Sequence, residues 1–97
     1  MGFFCYNINM KELLFFYGLE CPHCIIMEGI VDRLVSEGHP IKKVEIWHNK
    51  DNEKMFEQMD VAEERCGGVP FFLNQHNGKT LCGEVSYEEM KTWAEGK

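Results

Sequence analysis

A short apolar strand pattern passes directly into a helix pattern near residue 21, and this junction most constrains the fold. A strand is predicted over 12–17, because residues 13–17 are apolar and aromatic and the run ends at Gly18, as expected of a buried strand. A helix is predicted from Pro22, because proline suits the first helical position, where its missing N–H costs nothing. Gly38 predicts the end of this helix. Between them, apolar residues recur at helical spacing: Met27, Ile30, Val31 and Leu34.

The remaining chain predicts one more strand, one more helix, a hairpin and a final helix. The pair Asn77-Gly78 is typical of a two-residue hairpin turn. Ser86 and Glu89 have the spacing of a capping box, which begins a helix. In chain order the predicted elements are a strand over 41–47, a helix capped by Asn52 and running to about Arg65, strands over 69–73 and 79–82, and a helix after Ser86 with Met90, Trp93 and Ala94 inward.

This order predicts an α/β fold with a mixed sheet. A strand–helix–strand unit requires a parallel pair of strands, whereas a hairpin requires an antiparallel pair. The sequence β-α-β-α-β-β-α therefore predicts a four-stranded mixed sheet flanked by helices. With 97 residues the chain suits one domain, over 11–97. We interpret residues 1–10 as an N-terminal lead that forms an arm or an extra edge strand.

Composition excludes several classes of function. The net charge is −6, without the basic surface of a nucleic-acid-binding protein. No apolar run approaches the roughly 20 residues of a membrane helix, and the N-terminus lacks a signal-peptide pattern. We therefore expect a cytoplasmic monomer with no nucleic-acid or membrane partner.

The chemistry of the chain is concentrated in Cys21-Pro22-His23-Cys24, at the predicted junction between strand and helix. A sulfur at a helix N-cap faces unpaired backbone N–H groups and the positive end of the helix dipole, which stabilise a thiolate. We therefore expect Cys21 to be the exposed, reactive thiol and Cys24, one turn further on, to be shielded. A protonated His23 adds a cation or a hydrogen-bond donor.

Metal binding is the alternative for a CxxC motif. A structural zinc site needs four ligands and normally brings a second paired motif, which this sequence lacks. A metal- or cluster-binding module that uses Cys21 and Cys24 remains the second hypothesis. The chain has five cysteines, so they cannot all pair within one molecule. The role of Cys5 stays open.

The motif Cys21-Pro22-His23-Cys24, followed by 68–72 with the sequence Gly-Val-Pro-Phe-Phe, resembles the thioredoxin superfamily, in a glutaredoxin-sized form over 11–97. The resemblance implies a thiol–disulfide oxidoreductase without a prosthetic group. Cys21 would be the nucleophile and Cys24 the resolving thiol. Pro70 would follow a cis peptide bond and face the sulfurs, and Val69 would present its backbone to an incoming peptide or thiol. Partners would be protein or low-molecular-weight disulfides and thiols, together with a reductase or thiol pool.

The chain also departs from the family it resembles. Pro22-His23 is similar to the dipeptide of strongly oxidising periplasmic dithiol proteins, which implies a potential less reducing than that of thioredoxin. Phe15 stands where thioredoxins place a buried acid, and Glu20 where they place tryptophan. Residues 82–85 replace the glutathione site of glutaredoxins, so the resemblance leaves glutathione binding open.

Three further side chains are candidates on position alone. The hairpin returns Cys82 to the start of the strand at Pro70, which predicts an auxiliary thiol near Cys21 and Cys24; the alternative is a buried apolar residue. Cys66 shares a predicted helical face with apolar residues and reads as a small buried side chain. Trp47 is expected in the core or at the border of the site.

Overall fold

The structure is a computed structural model that describes residues 12–58 and 66–97. Its elements follow the predicted order, which confirms the α/β class. The N-terminal lead over 1–10 lies outside the described residues. The elements are β1 (Leu13–Tyr17), α1 (Pro22–Ser36), β2 (Ile41–Glu45), α2 (Lys50–Glu57), β3 (Phe71–Asn74), β4 (Thr80–Cys82) and α3 (Tyr87–Ala94).

The four strands form one mixed sheet in the order β2-β1-β3-β4. β1 is parallel to β2 and antiparallel to β3, and β3 is antiparallel to β4. The prediction of a four-stranded mixed sheet is therefore confirmed. Because Phe16 pairs with Phe71, the carboxyl end of β1 and the beginning of β3 lie at the same edge of the sheet.

β1 is apolar throughout because both faces of the sheet are covered. Side chains alternate along a strand, so neighbouring residues enter different cores. Leu13 and Phe15 pack in a core that includes residues of α1 and α3, such as Met27 and Trp93. Leu14 and Phe16 belong to a second core that includes Phe56 of α2. A strand buried on both faces has no need for polar alternation, which explains the run over 13–17.

The second helix begins three residues earlier than predicted. Asn49, not Asn52, is its N-cap: Asn49 has an extended backbone, and its side chain accepts the N–H of Asn52. Asn52 lies within the first turn and donates its side-chain amide to the carbonyl of Glu45. The described helix ends at Glu57, and the predicted continuation to Arg65 lies largely outside the described residues.

The hairpin also differs from its prediction. The strands pair antiparallel, with Leu73 opposite Thr80, but residues 75–78 form a wider connection than a two-residue turn. Asn74 accepts the N–H of Gly78 on its carbonyl and donates its own N–H to Lys79. The buried Asn74 side chain explains the change, because it donates to the carbonyl of Trp93 and accepts the N–H of His76. These two hydrogen bonds hold Asn74 in place directly before the turn.

Gly29 gives the first testable prediction. It lies on the exposed side of α1, and a Cβ there would meet nothing within 4 Å. We expect Gly29→Ala to raise the free energy of unfolding by about 0.5–1 kcal/mol, because alanine restricts the unfolded chain and favours the helix. Urea denaturation measures the change. Gly38→Ala is the matched control: it also has open space, but its φ of 101° should make alanine destabilising.

Candidate active site

Cys21 and Cys24 lie where the sequence predicts them, at the first turn of α1. Cys21 is the N-cap residue, with an extended backbone, and its Sγ accepts the N–H of Cys24 at 3.3 Å. Pro22 occupies the first turn and takes no part in the helix's N–H bonding. The Cys21 sulfur thus takes the place of a capping oxygen at the N-terminus of α1, where the helix dipole favours negative charge.

Both sulfur-bearing residues are buried, with Cys21 4% and Cys24 1% exposed. The expectation that Cys21 is exposed is therefore wrong for the residue as a whole. The reason is that the first turn of α1 packs into the core that contains Phe15. Burial, together with a hydrogen bond to Cys21, raises the pKa of Cys24 to about 12. Cys24 accordingly holds its proton, as a shielded second thiol should.

The peptide bond between Val69 and Pro70 is cis, which confirms that part of the resemblance. Pro70 is buried, directly before β3, so it lies at the edge of the sheet where β1 leads toward Cys21. Its carbonyl accepts the N–H of Gly83 at 3.0 Å. Val69 is half-buried and packs against both cores.

His23 points to a partner that the sequence analysis did not name. Its Nδ1 forms an exposed ion pair with Glu84, in the loop after β4. A second such pair joins His48 to Glu20, the residue before Cys21, at 2.7 Å. Donation of a hydrogen bond to the Glu20 carboxylate raises the pKa of His48, so protonated His48 persists to higher pH than an isolated histidine. Two carboxylates therefore stand beside the cysteine motif, one adjacent in sequence and one bound to His23.

Glu45 organises the loop that leads to Cys21, and sequence reasoning missed it. Its carboxylate accepts backbone N–H bonds from Leu19, Trp47 and His48, at 3.0, 3.1 and 2.8 Å. Burial acts to raise the pKa of Glu45, but these three donors outweigh it and lower the pKa. The available signal was positional, because Glu45 ends β2 opposite Tyr17, at the sheet edge where both parallel strands finish.

Of the two expected placements, the core or the border of the site, Trp47 takes the second, since it lies against the loop that leads to Cys21. Its indole ring lies against Gly18, and a Cβ at residue 18 would overlap the ring. Trp47 is nevertheless 51% exposed, and Leu19 and Ile25 are exposed by 59% and 58%. Three apolar side chains near the cysteine motif thus face solvent.

Cys82 lies beside Cys66 instead of beside Cys21 and Cys24. It pairs with Phe71 and therefore shares that residue's face of the sheet, which belongs to the second core. Cys82 is exposed, so the alternative of a buried apolar residue is also wrong. The antiparallel return of the chain toward the start of β3 was predicted correctly, but a two-residue turn would place Cys82 opposite Leu73, whereas it lies opposite Phe71. The antiparallel return alone does not say which face a side chain takes. Cys66 is half-buried and packs against the second core, short of the full burial expected.

Within residues 12–58 and 66–97, no group of three or more histidine, cysteine, aspartate or glutamate side chains is arranged to hold a metal ion. None of the described helices has the length and apolar character needed to span a membrane.

The chain has a thioredoxin-like fold. It is similar to the crystal structure of the glutaredoxin from Archaeoglobus fulgidus, with a TM-score of 0.63 and 23% sequence identity. The similarity covers 89% of this chain and 88% of the archaeal one. No family model and no curated protein sequence matches the chain.

Proposed function

We propose that this chain is a thiol–disulfide oxidoreductase in which Cys21 attacks and Cys24 resolves. The observation that carries the proposal is the asymmetry of the pair. Both residues are buried, but Cys21 caps the helix and receives an N–H bond on its sulfur, whereas burial and a hydrogen bond to Cys21 raise the pKa of Cys24 to about 12. The thioredoxin-like fold is consistent with this chemistry but does not by itself decide it.

The reaction takes place in two exchanges. The thiolate of Cys21 attacks one sulfur of a substrate disulfide, forms a mixed disulfide and releases the other sulfur as a thiolate. Cys24 then gives up its proton and attacks Sγ of Cys21, which releases the second substrate thiol and leaves a Cys21–Cys24 disulfide. Two electrons have passed to the substrate, and a thiol pool or a reductase returns them to the cysteine pair.

The mixed disulfide itself prepares the second exchange. A hydrogen bond and the charge of Cys21 both contribute to the raised pKa of Cys24. Once Cys21 is bonded to substrate it carries no charge, so the pKa of Cys24 falls at the step that needs its thiolate. Burial, the largest cause, remains, and this step should therefore accelerate with rising pH.

Redox titration tests the proposal. The protein is equilibrated with mixtures of a low-molecular-weight dithiol and its disulfide, and its free thiols are then alkylated. After digestion with trypsin, mass spectrometry of the peptides counts the alkylated thiols. Both cysteines lie in the tryptic peptide 12–33, since cleavage follows Lys11 and Arg33. We expect Cys21 and Cys24 to lose their thiols together, with one midpoint. Independent titration of the two thiols, or two persistent thiols at oxidising ratios, would contradict the proposal.

The carboxylates beside the motif lead to a prediction about substrate charge. Glu20 and Glu84 both stand next to the cysteine pair and are exposed. An anionic disulfide such as glutathione disulfide is repelled by them, whereas a neutral one is not. We expect Glu84→Gln to accelerate exchange with glutathione disulfide about two- to fivefold, with a smaller effect at high salt.

Stopped-flow measurement against glutathione disulfide and 2-hydroxyethyl disulfide checks this prediction. The neutral disulfide should respond little to Glu84→Gln. Glu95→Gln is the matched control, because Glu95 follows α3 near the Asn77 turn, at the other end of the sheet. An equal acceleration for both disulfides would show that Glu84 acts through His23 and not through substrate charge.

A further inference from the structure

A second pair of thiols lies outside the Cys21–Cys24 motif. Cys66 precedes the segment that ends at Pro70, and Cys82 is the last residue of β4. The two are 16 positions apart in sequence but meet in space. The predicted exchange reaction uses neither of them.

The carbonyl of Pro70 fixes where this second pair meets. It accepts the backbone N–H of Gly83 at 3.0 Å and lies 3.6 Å from Sγ of Cys66, which donates to it. Gly83 directly follows Cys82, and Phe71, which directly follows Pro70, is the strand partner of Cys82. The carbonyl oxygen of Pro70 therefore accepts hydrogen bonds both from the Cys66 thiol and from the N–H that directly follows β4.

The thiols also interact with one another. Partial burial of the thiol and a hydrogen bond with Cys66 raise the pKa of Cys82 to about 12. Cys82 is exposed and Cys66 half-buried, so a small reagent can reach the pair from solvent. Their neighbours of the second core, among them Phe71, hold the Cys66 segment against the sheet.

We propose that Cys66 and Cys82 form a second, separate redox site, which closes to an intramolecular disulfide and ties the Cys66–Pro70 segment to the end of β4. The oxidant is a low-molecular-weight disulfide. A thiolate of the pair attacks it, forms a mixed disulfide and releases one small thiol. The second cysteine loses its proton, displaces the other small thiol and closes the bond. Two protein thiols are oxidised and one small disulfide is reduced to two thiols.

Formation of the Cys66–Cys82 disulfide would change how the segment that contains Val69 is held. When Cys66 bonds to Cys82 it no longer donates to the Pro70 carbonyl, and the segment that carries Val69 is held by a covalent bond instead of a weak thiol contact. The Gly83 N–H bond to the same carbonyl remains available.

Tryptic mapping distinguishes the two redox sites without any assay of activity. Cys66 lies in peptide 66–79 and Cys82 in peptide 80–91, whereas Cys21 and Cys24 share peptide 12–33. After oxidation by glutathione disulfide and blocking of free thiols, we expect peptides 66–79 and 80–91 to be joined and to separate on reduction. The same link should form in a Cys21→Ser/Cys24→Ser variant, which lacks both thiols of the first redox site.

The matched control is Cys66→Ser. In that variant Cys82 should carry a single glutathione adduct and no cross-link. Closure should also raise the melting temperature of the Cys21→Ser/Cys24→Ser protein above that of its reduced form. If that variant does not fold, mapping of the wild-type chain decides alone. The inference is overturned if peptides 66–79 and 80–91 stay separate at strongly oxidising ratios, whatever the state of peptide 12–33, or if either cysteine links instead to Cys5 in peptide 1–11. It therefore stands or falls independently of the proposed exchange at Cys21.

Discussion

A Cys24→Ser variant is expected to stop exchange after its first half and to accumulate a mixed disulfide on Cys21. Cys24 is 1% exposed and keeps its proton, so it acts only once Cys21 is bonded to substrate. A hydroxyl in its place cannot displace a sulfur. With a neutral disulfide and no added thiol, the adduct should approach one per chain. Mass spectrometry of peptide 12–33 measures it.

The paired variant is Cys21→Ser. Without the attacking sulfur, turnover should fall on the order of 10³-fold or more, as when other enzymes lose their nucleophile. No adduct should appear in peptide 12–33. If the adduct instead forms on Cys24 at the wild-type rate, the roles of the two cysteines are reversed.

Phe15→Ala is expected to have the largest effect on stability. Phe15 is fully buried in the core beneath the cysteine motif. Its ring stacks on Phe72 at 5.0 Å and on Tyr17 at 5.3 Å between centroids. Removing it leaves a cavity between two packed layers, so the free energy of unfolding should fall by about 3–5 kcal/mol. That is a large share of the roughly 5–15 kcal/mol typical of a small domain.

Urea denaturation of matched variants checks this value. Ile25→Ala is the control, because Ile25 is 58% exposed on the first part of α1. Its effect should lie within about 0.5 kcal/mol. A loss at Phe15 no larger than the loss at Ile25 would mean that the core beneath the motif collapses to fill the cavity.

Signals confined to one turn of chain predicted most of the fold. Ser86 and Glu89 make both hydrogen bonds of the predicted capping box, and Gly38 has the positive φ expected just after α1. The N-cap position of Cys21 likewise followed from Pro22 and from the change in hydrophobic period. In each case the atoms that decide the structure are neighbours in sequence.

Features decided by distant residues were not predicted. Asn52 has a capping side chain, but Asn49 caps α2, and Asn52 instead binds the carbonyl of Glu45. The end of β4 was predicted to return to the start of β3, and it does so through a wider turn. The neighbour of Cys82, Cys66, approaches through a segment whose path no local pattern specifies. The burial of Cys21 similarly depends on how α1 packs against β1.

The Glu45 carboxylate fixes the loop before Cys21 through three backbone N–H groups, so the path of this loop does not depend on which side chains it exposes. Leu19 and Trp47 are held through their N–H groups, which every residue except proline possesses, while their side chains face solvent. Position 19 can therefore accept many side chains without moving the loop before Cys21. Position 47 can also accept other side chains, provided that they do not clash with Gly18, against which the Trp47 ring now lies. A single carboxylate thus makes the rim of this site adaptable, because substitution there changes the exposed side chains while the bonds to Glu45 preserve the loop.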